Sequence, residues 1–382
     1  MLLGLAYLGF VSLGLPDSVL GVAWPSLRAD FALPQGGLGL VLLGFSAGFF
    51  LSSSSVGQLL RRWGVGPLLA ASTGLVTLAL TSYGLTPSWA LFLAGAVVLG
   101  LGSGAIDAGL NAYAAGHFSP RHMNWLHAAY GLGAACGPLV MTAALTRDLG
   151  WRGGYLFLAL ILGVMTCLFV ATRRQWLGDV RLESIRADAP PASQVLRRPL
   201  VWLQILVFFV YTGMELTAGQ WCFALLSEGR GMPPGEAGVW ASLFWGSLFA
   251  GRVALGFVAE RIGPDGLVRL GVTGSLLGAV ALALAPTPIG LAGLLLLGFS
   301  AAPIYPMLMS RTPARLGTEV ALHAVGFQVS AAMLGTLAFP GLAGILADRY
   351  GLEATAFTAL GTALALFVLA TLLLRRPSPD AS

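Results

Sequence analysis

The segment Gly153 to Thr172 reads GGYLFLALILGVMTCLFVAT and contains no charged side chain. At a rise of about 1.5 Å per residue, a helix of roughly 20 residues crosses the ~30 Å hydrocarbon core of a bilayer. Lipid offers no hydrogen-bonding partner to the backbone, so such a segment must pair its own N–H and C=O groups, as an α-helix does. The segment therefore predicts one membrane-spanning helix.

The rest of the chain repeats this pattern. Of its 382 residues, 57% are hydrophobic and 10% are charged, whereas about a quarter of the residues of a soluble domain carry a charge. Windows without any charged residue run from Gly66 to Ser88 and from Leu270 to Ser310. Counting apolar segments bounded by charged residues, Pro or Gly predicts twelve spans. We therefore expect an all-α polytopic membrane protein and not a water-soluble globule.

The only long hydrophilic stretch, residues 173–198, separates six predicted spans from six more. We expect an amino-terminal bundle of residues 1–172, a linker of residues 173–198 and a carboxyl-terminal bundle of residues 199–382. Most arginines lie in loops on the side of this linker, so the positive-inside rule predicts cytoplasmic termini, as in a bacterial inner-membrane protein. The net charge of +5 is spread over separate loops, which argues against a nucleic-acid partner.

The two halves resemble each other. The tripeptide Leu-His-Ala opens predicted span 5 around His127 and predicted span 11 around His323. One carboxylate lies about 15 residues into each of spans 1 and 7, namely Asp17 and Glu215. An internal repeat of six spans is typical of secondary transporters, whose solute site lies near the bilayer midplane at the repeat interface. The repeat predicts two pseudo-symmetric six-helix bundles.

Two loop sequences occupy matching places in the halves. They read Gly57-Gln-Leu-Leu-Arg-Arg-Trp-Gly64 and Gly256-Phe-Val-Ala-Glu-Arg-Ile-Gly263. Both resemble the signature Gly-x-x-x-Asp-Arg-x-Gly of the major facilitator superfamily, although an arginine replaces the acidic residue in the first copy. The resemblance covers nearly the whole chain. From their place in the second copy, Glu260 and Arg261 are predicted gating residues.

Four other segments resemble the fucose-proton symporter family within that superfamily. They are Leu15–Leu20 in span 1, Ile106–Asn111 in span 4, Asn124–His127 at the start of span 5, and Tyr211–Trp221 in span 7. The resemblance implies proton coupling and sugar binding at Asp17 and Asp107, with Asn111 and Asn124 nearby. Two differences, Asp107 in place of Glu and His127 in place of Gln, mean that the same sugar is not implied.

Charged side chains inside spans form a second class of candidates. Each costs at least ~2.5–3.5 kcal/mol on insertion scales, so its retention needs a reason. An apolar surrounding disfavours the charged form of a carboxyl group, which suits proton exchange; the alternative is a neutral hydrogen-bonding group. Histidine titrates near neutral pH, and its alternative is a core side chain. The predicted proton-coupling residues are Asp17, Asp107, Glu215, His127 and His323.

Helical spacing groups further polar and aromatic side chains. Residues three or four apart share a helix face, as Asp107 does with Asn111 and Tyr211 with Glu215. The predicted solute-binding residues are Asn111, Asn124, Tyr130, Tyr211, Gln220, Trp221 and Gln328. Arg252 lies inside span 8, where it is either a counter-ion for Asp107 or for a solute carboxylate, or a third gating residue beside Glu260 and Arg261.

These features predict a secondary active transporter that moves a small polar solute, a sugar, together with protons by alternating access. Sodium is the alternative coupling ion, and no ATP-binding loop occurs. The alternative function is a proton-coupled drug or metabolite exporter, because Gly133-x-x-x-Gly137-Pro138 partly matches an antiporter signature. We expect no enzyme activity, cofactor or metal site, since no nucleophile has a paired base. The expected partners are the solute and the bilayer, and the expected state is a monomer.

Overall fold

The computed structural model describes residues 1–118, 120–176 and 192–376, and it contains helices and no strand within these ranges. Eleven helices of this part are long and apolar enough to cross a membrane. The predicted span of residues 235–259 is not among the eleven, but it lies within the 29-residue helix Pro234–Ile262. The prediction of an all-α polytopic membrane protein is confirmed.

Sixteen α-helices follow one another along the described chain. They are α1 Leu2–Asp17, α2 Val19–Asp30, α3 Gly37–Trp63, α4 Val65–Leu85, α5 Trp89–His117, α6 Pro120–Thr146, α7 Gly150–Thr172, α8 Ala192–Val195, α9 Pro199–Ala224, α10 Pro234–Ile262, α11 Pro264–Leu284, α12 Thr287–Ala301, α13 Ile304–Ser310, α14 Thr312–Leu316, α15 Thr318–Tyr350 and α16 Glu353–Leu374. A π-helical turn, Leu225–Gly229, extends α9.

The described chain divides into two compact units. Unit 1 combines the described residues of Met1–Leu182 with Gln220–Gly246, and unit 2 combines those of Glu183–Gly219 with Ser247–Ser382. The boundary differs from the linker-based division, because residues 220–246 pack with unit 1. Helix α9 therefore contributes its first part to unit 2 and its last residues to unit 1. The division at residues 172 and 199 stays a prediction, and residues 177–191 of the predicted linker lie outside the described ranges.

Two predicted spans consist of broken helices. In unit 1, α1 ends at Asp17 and α2 begins at Val19. Pro16, in the last turn of α1, lacks the N–H group that would bond the carbonyl four residues earlier. In unit 2, α12 ends at Ala301 and α13 begins at Ile304, with Pro303 in the break. Discontinuous helices in transporters place backbone polar groups next to the solute or ion. The breaks therefore mark where to look for a site.

Close backbone contacts in unit 1 depend on glycine. Helices α3 and α5 approach each other reciprocally, since a Cβ atom on Gly48 would meet the Val97 carbonyl oxygen and one on Gly100 would meet the Phe45 carbonyl oxygen. In lipid, where hydrophobic burial does not drive helices together, such backbone packing supplies much of the association energy. The glycines therefore hold the scaffold on which the candidate site is built.

Replacing Gly100 by Ala tests this packing. The added methyl group would lie about 2.8 Å from the Phe49 backbone nitrogen, so the helices must separate. Overpacking of this kind costs about 1–3 kcal/mol, and we expect a lower apparent Tm of the purified protein in detergent. Gly361→Ala in α16 is the matched control, because nothing lies within 4 Å of its added Cβ atom. Equal Tm values for the two variants would contradict this account.

Candidate functional site

The break in span 1 places Asp17 among polar partners of unit 1. The Tyr130 hydroxyl of α6 donates a hydrogen bond to Asp17 Oδ2 at 3.2 Å. The Gln220 Nε2 of α9 donates to the Asp17 backbone carbonyl at 2.9 Å. Asp17 Oδ1 and Gln220 Oε1 are both buried and have no hydrogen-bond partner among the described residues. Leaving a buried acceptor unpaired costs about 1–3 kcal/mol, so both atoms are suited to receive an added donor.

The second acid of unit 1, Asp107 in α5, is paired along its own helix. Asn111 Nδ2 donates to Asp107 Oδ1 at 3.0 Å, as their four-residue spacing predicts. Asp107 also acts electrostatically on Asp17, so the two carboxyl groups lie in one neighbourhood. The structure thereby brings together four of the predicted residues, Asp17, Asp107, Asn111 and Tyr130, with Gln220 joining them through a backbone atom.

The third acid, Glu215, has its partners in unit 2. Its carboxyl group is buried, lies close to the Tyr211 hydroxyl and interacts electrostatically with Arg252. The Tyr211 hydroxyl also lies 3.1 Å from the backbone oxygen of Ala301, the residue at which α12 ends. The acid on which Arg252 acts is thus Glu215 and not Asp107, which the sequence analysis named as its partner, and a gating role for Arg252 stays a prediction. Glu215, Tyr211 and Arg252 form one cluster.

The remaining predicted residues are more dispersed. His127 is exposed and packs edge-on against Phe10, with ring centroids 5.3 Å apart, whereas Trp221 is fully buried. His323 is partly buried in unit 2, so a relay with His127 stays a prediction. The side chains of Asn124 and Glu260 lie outside the described set, and Arg261 is exposed in the last turn of α10.

Gln328 belongs to a buried polar network in unit 2. Its Nε2 donates to Gln204 Oε1 at 2.7 Å, and its Oε1 accepts from the Thr312 hydroxyl at 3.1 Å. Gln328 has no exposed surface, so its amide is committed to these contacts. The role of Gln328 in solute binding stays a prediction. Gln204 was not anticipated, although a glutamine within an apolar span is a signal that could have identified it.

A second polar network lies where α2 ends, on the side predicted to be extracellular. Arg28 forms an ion pair of 2.9 Å with Glu228, in the π-helical turn after α9. Gln35 donates to the same carboxylate oxygen at 3.4 Å and accepts from the Trp24 indole at 3.0 Å. We call Trp24, Arg28, Gln35 and Glu228 the outer cluster. The sequence placed Arg28 and Glu228 in loops and did not predict that they pair, although the two residues follow the repeat-related spans 1 and 7.

An ion-paired cluster also lies near the second loop signature, in unit 2. Asp265, at the start of α11, binds Arg315 at 2.7 Å and Arg311 at 3.5 Å. Burial lowers the pKa of the Arg315 guanidinium below its ordinary value, and Asp265 opposes that change. The charged contacts here thus centre on Asp265, two residues beyond the signature that pointed to Glu260 and Arg261.

Within the described part of the chain, neither a cluster of metal-ligating side chains nor the groove between α15 and α16 coincides with the predicted site residues. No group of three or more His, Cys, Asp or Glu side chains in the described part of the chain is arranged to hold a metal ion. A groove of about 560 Å³ between α15 and α16 is lined by residues such as Phe339, Tyr350 and Phe357 and by none of the predicted site residues. The candidate site is therefore the polar neighbourhood around Asp17.

Comparison with known proteins identifies the family to which this chain belongs. The family model of the Major Facilitator Superfamily matches residues 6–326. The human "Sodium-dependent glucose transporter 1" is 25% identical over 409 residues, which cover 94% of this chain and 76% of the relative. The "Glucose/mannose transporter GlcP" of Bacillus subtilis is 22% identical over 203 residues, covering 51% of this chain and 50% of the relative.

Solved structures show the same fold at lower identity. The chain superposes on the fucose:proton symporter FucP of E. coli with a TM-score of 0.68 and 16% identity, covering 97% of each chain. It superposes on the nucleoside transporter NupG with a TM-score of 0.77 and 12% identity, covering 97% of this chain and 98% of NupG. The fold, the family match and the membrane-spanning helices agree: the chain is an integral membrane transporter of the Major Facilitator Superfamily.

Proposed function

We propose that this transporter moves a sugar, or a related small polyol, together with protons by alternating access. The observation that carries the proposal is the Asp17 neighbourhood: a carboxyl group at a helix break, bound by Tyr130, near a second acid and with one buried oxygen unpaired. The relatives support the solute class, since two are named for glucose or for glucose and mannose and one structural neighbour for fucose.

The acids of unit 1 supply a reason for proton coupling. Neither Asp17 nor Asp107 contacts a cation among the described residues, and their bonds come from a hydroxyl and an amide. A proton on one of them would neutralise that carboxylate, relieve its repulsion with the other acid and turn an acceptor oxygen into a donor. Uptake from one side and release to the other would then drive the solute without any ATP-binding site. Sodium, named in a relative, is the competing ion.

The same neighbourhood suits a polyol. Ligand pockets place a small number of polar groups to fix orientation, and carboxylate and amide oxygens pair well with sugar hydroxyls. Asp107 and Asn111 lie on one helix face, with Tyr130 contributing both a ring and a hydroxyl group. Binding would use the unpaired Asp17 oxygen as a further acceptor. The solute and the proton would thus share one set of side chains.

The exporter alternative has less support. Gly133 and Gly137, the glycines of the partial antiporter signature, face the backbone of α1: added Cβ atoms there would meet carbonyl oxygens of Val11 and Leu15. Helix packing alone therefore accounts for these glycines. For topology, the arginine distribution supports cytoplasmic termini in a bacterial inner membrane, and we propose a monomer as the working unit.

Replacing Asp107 by Asn tests the coupling assignment. Purified protein in proteoliposomes should accumulate a radiolabelled sugar when an inward proton gradient is imposed. We expect Asp107→Asn to lose at least ~10-fold of this accumulation, because the site can no longer exchange its proton, while sugar counterflow without a gradient persists. Asp148→Asn is the matched control, since Asp148 lies in a loop with positive φ that Asn also adopts.

A panel of gradients and solutes makes this test decisive. Gradient-driven accumulation by Asp107→Asn at the wild-type level would show that the acid is not the coupling group. Accumulation driven by a sodium gradient and not by a proton gradient would show that sodium is the coupling ion. Extrusion of a cationic dye without uptake of any sugar would favour the exporter.

Reversing the charges of the outer cluster tests alternating access. The Arg28–Glu228 pair joins the end of α2 to the turn after α9, and we infer that it breaks when the site opens to the outside. A partly exposed pair contributes ~0.2–1 kcal/mol, which shifts a two-state equilibrium at most about fivefold. We expect Arg28→Glu and Glu228→Arg each to lower counterflow, and the double swap to restore it. Additive effects of the two changes would show that the pair is not a gate contact.

A further inference from the structure

The break between α1 and α2 leaves the Asp17 carbonyl in need of a donor. In an unbroken helix this oxygen would accept from the backbone N–H four residues later, that of Gly21. A membrane-embedded carbonyl without a donor is costly, because lipid provides none. Gln220 supplies the donor: its Nε2 lies 2.9 Å from the Asp17 oxygen, and the glutamine is only 2% exposed.

The backbone of Gln220 is fixed at the same point. A Cβ atom on Gly21 would meet the Gln220 carbonyl oxygen and would lie 2.9 Å from Gln220 Cα. Helices α2 and α9 can therefore approach this closely only because Gly21 has no side chain. Both the side chain and the main chain of Gln220 are thus held against the segment that contains Asp17.

We propose that Gln220 is a positioning residue, which holds the break in span 1 in the geometry that presents the Asp17 carboxyl group to the solute and the proton. This inference rests on the proposed function. It differs from direct solute binding, because this role depends on the Gln220 Nε2 group, which donates to the Asp17 backbone carbonyl. It also ties the carboxyl-terminal end of α9 to the segment that contains Asp17, so a movement of this end would change how the carboxyl group is presented.

The Gln220→Met variant removes the donor and keeps the length of the side chain. In proteoliposomes we expect a roughly threefold to tenfold fall in gradient-driven sugar uptake, the range of one lost hydrogen bond, and a displaced pH midpoint of counterflow. Gln204→Met is the matched control on the same helix. Gln204 is equally buried but bonds to Thr312 and Gln328, so this change should lower Tm without moving the pH midpoint.

The Gln220→Glu variant keeps the size of the side chain and makes the donor depend on pH. An ionised glutamate cannot donate to the Asp17 carbonyl, whereas a neutral carboxyl group regains an O–H donor. We expect counterflow by this variant to fall at high pH and to recover toward the wild-type rate at low pH. This recovery tests the inference even if the Met variant does not fold.

Two results separate the inference from the function on which it rests. Wild-type protein that accumulates no sugar under any gradient would overturn the proposed function. Wild-type protein that does accumulate sugar, with unchanged pH midpoints in Gln220→Met and no low-pH recovery in Gln220→Glu, would overturn the positioning role alone.

Discussion

The break in span 1 is the constraint on which the site depends. Lipid cannot solvate an exposed peptide group, so a membrane helix can be interrupted only where other parts of the protein supply the missing partners. At Asp17 the Gln220 amide of α9 donates to the backbone carbonyl, and the Tyr130 hydroxyl of α6 donates to the side-chain carboxyl group. The residue that supplies the hydrogen-bond donor at the break therefore lies next to the acidic side chain as well. The hydrogen bonds that hold the break between α1 and α2 thus also form part of the candidate site around Asp17.

Glycine makes this arrangement possible. Tyr130 can reach Asp17 because α6 lies directly on α1, where an added Cβ atom at Gly14 would meet the Tyr130 carbonyl oxygen. Gln220 reaches the break because Gly21 admits the α9 backbone. Small residues allow membrane helices to approach within backbone contact, and interhelical hydrogen bonds then add to the packing energy. The glycines thus set the distances between the helices, and at these distances the polar side chains can form hydrogen bonds from one helix to another.

Much of this was predictable from the sequence because it is local. The membrane spans follow from apolar runs, and the Asp107–Asn111 and Tyr211–Glu215 pairs follow from four-residue spacing on one helix. What could not be predicted is which helix faces which. Residue spacing identifies one face of a helix but not the helix that packs against it. The sequence therefore did not predict the hydrogen bond from Gln220 to Asp17, which are 203 residues apart in the chain, or the Arg28–Glu228 ion pair. The buried hydrogen-bond network around Gln204 was not predicted for the same reason.

The two repeat-related acids, Asp17 and Glu215, differ in a way that the repeat alone does not show. Glu215 has a cation, Arg252, and a tyrosine hydroxyl close by, and both oppose the effect of burial on its charged form inside unit 2. Asp17 has a hydroxyl group and a second acid as neighbours, with no cation among its described contacts. An acid with a cation beside it gains little from taking up a proton, whereas an acid beside another acid relieves repulsion by doing so. This asymmetry supports the proposal that the acids of unit 1, Asp17 and Asp107, are the proton-exchanging groups, and it makes Arg252 the ionic partner of Glu215.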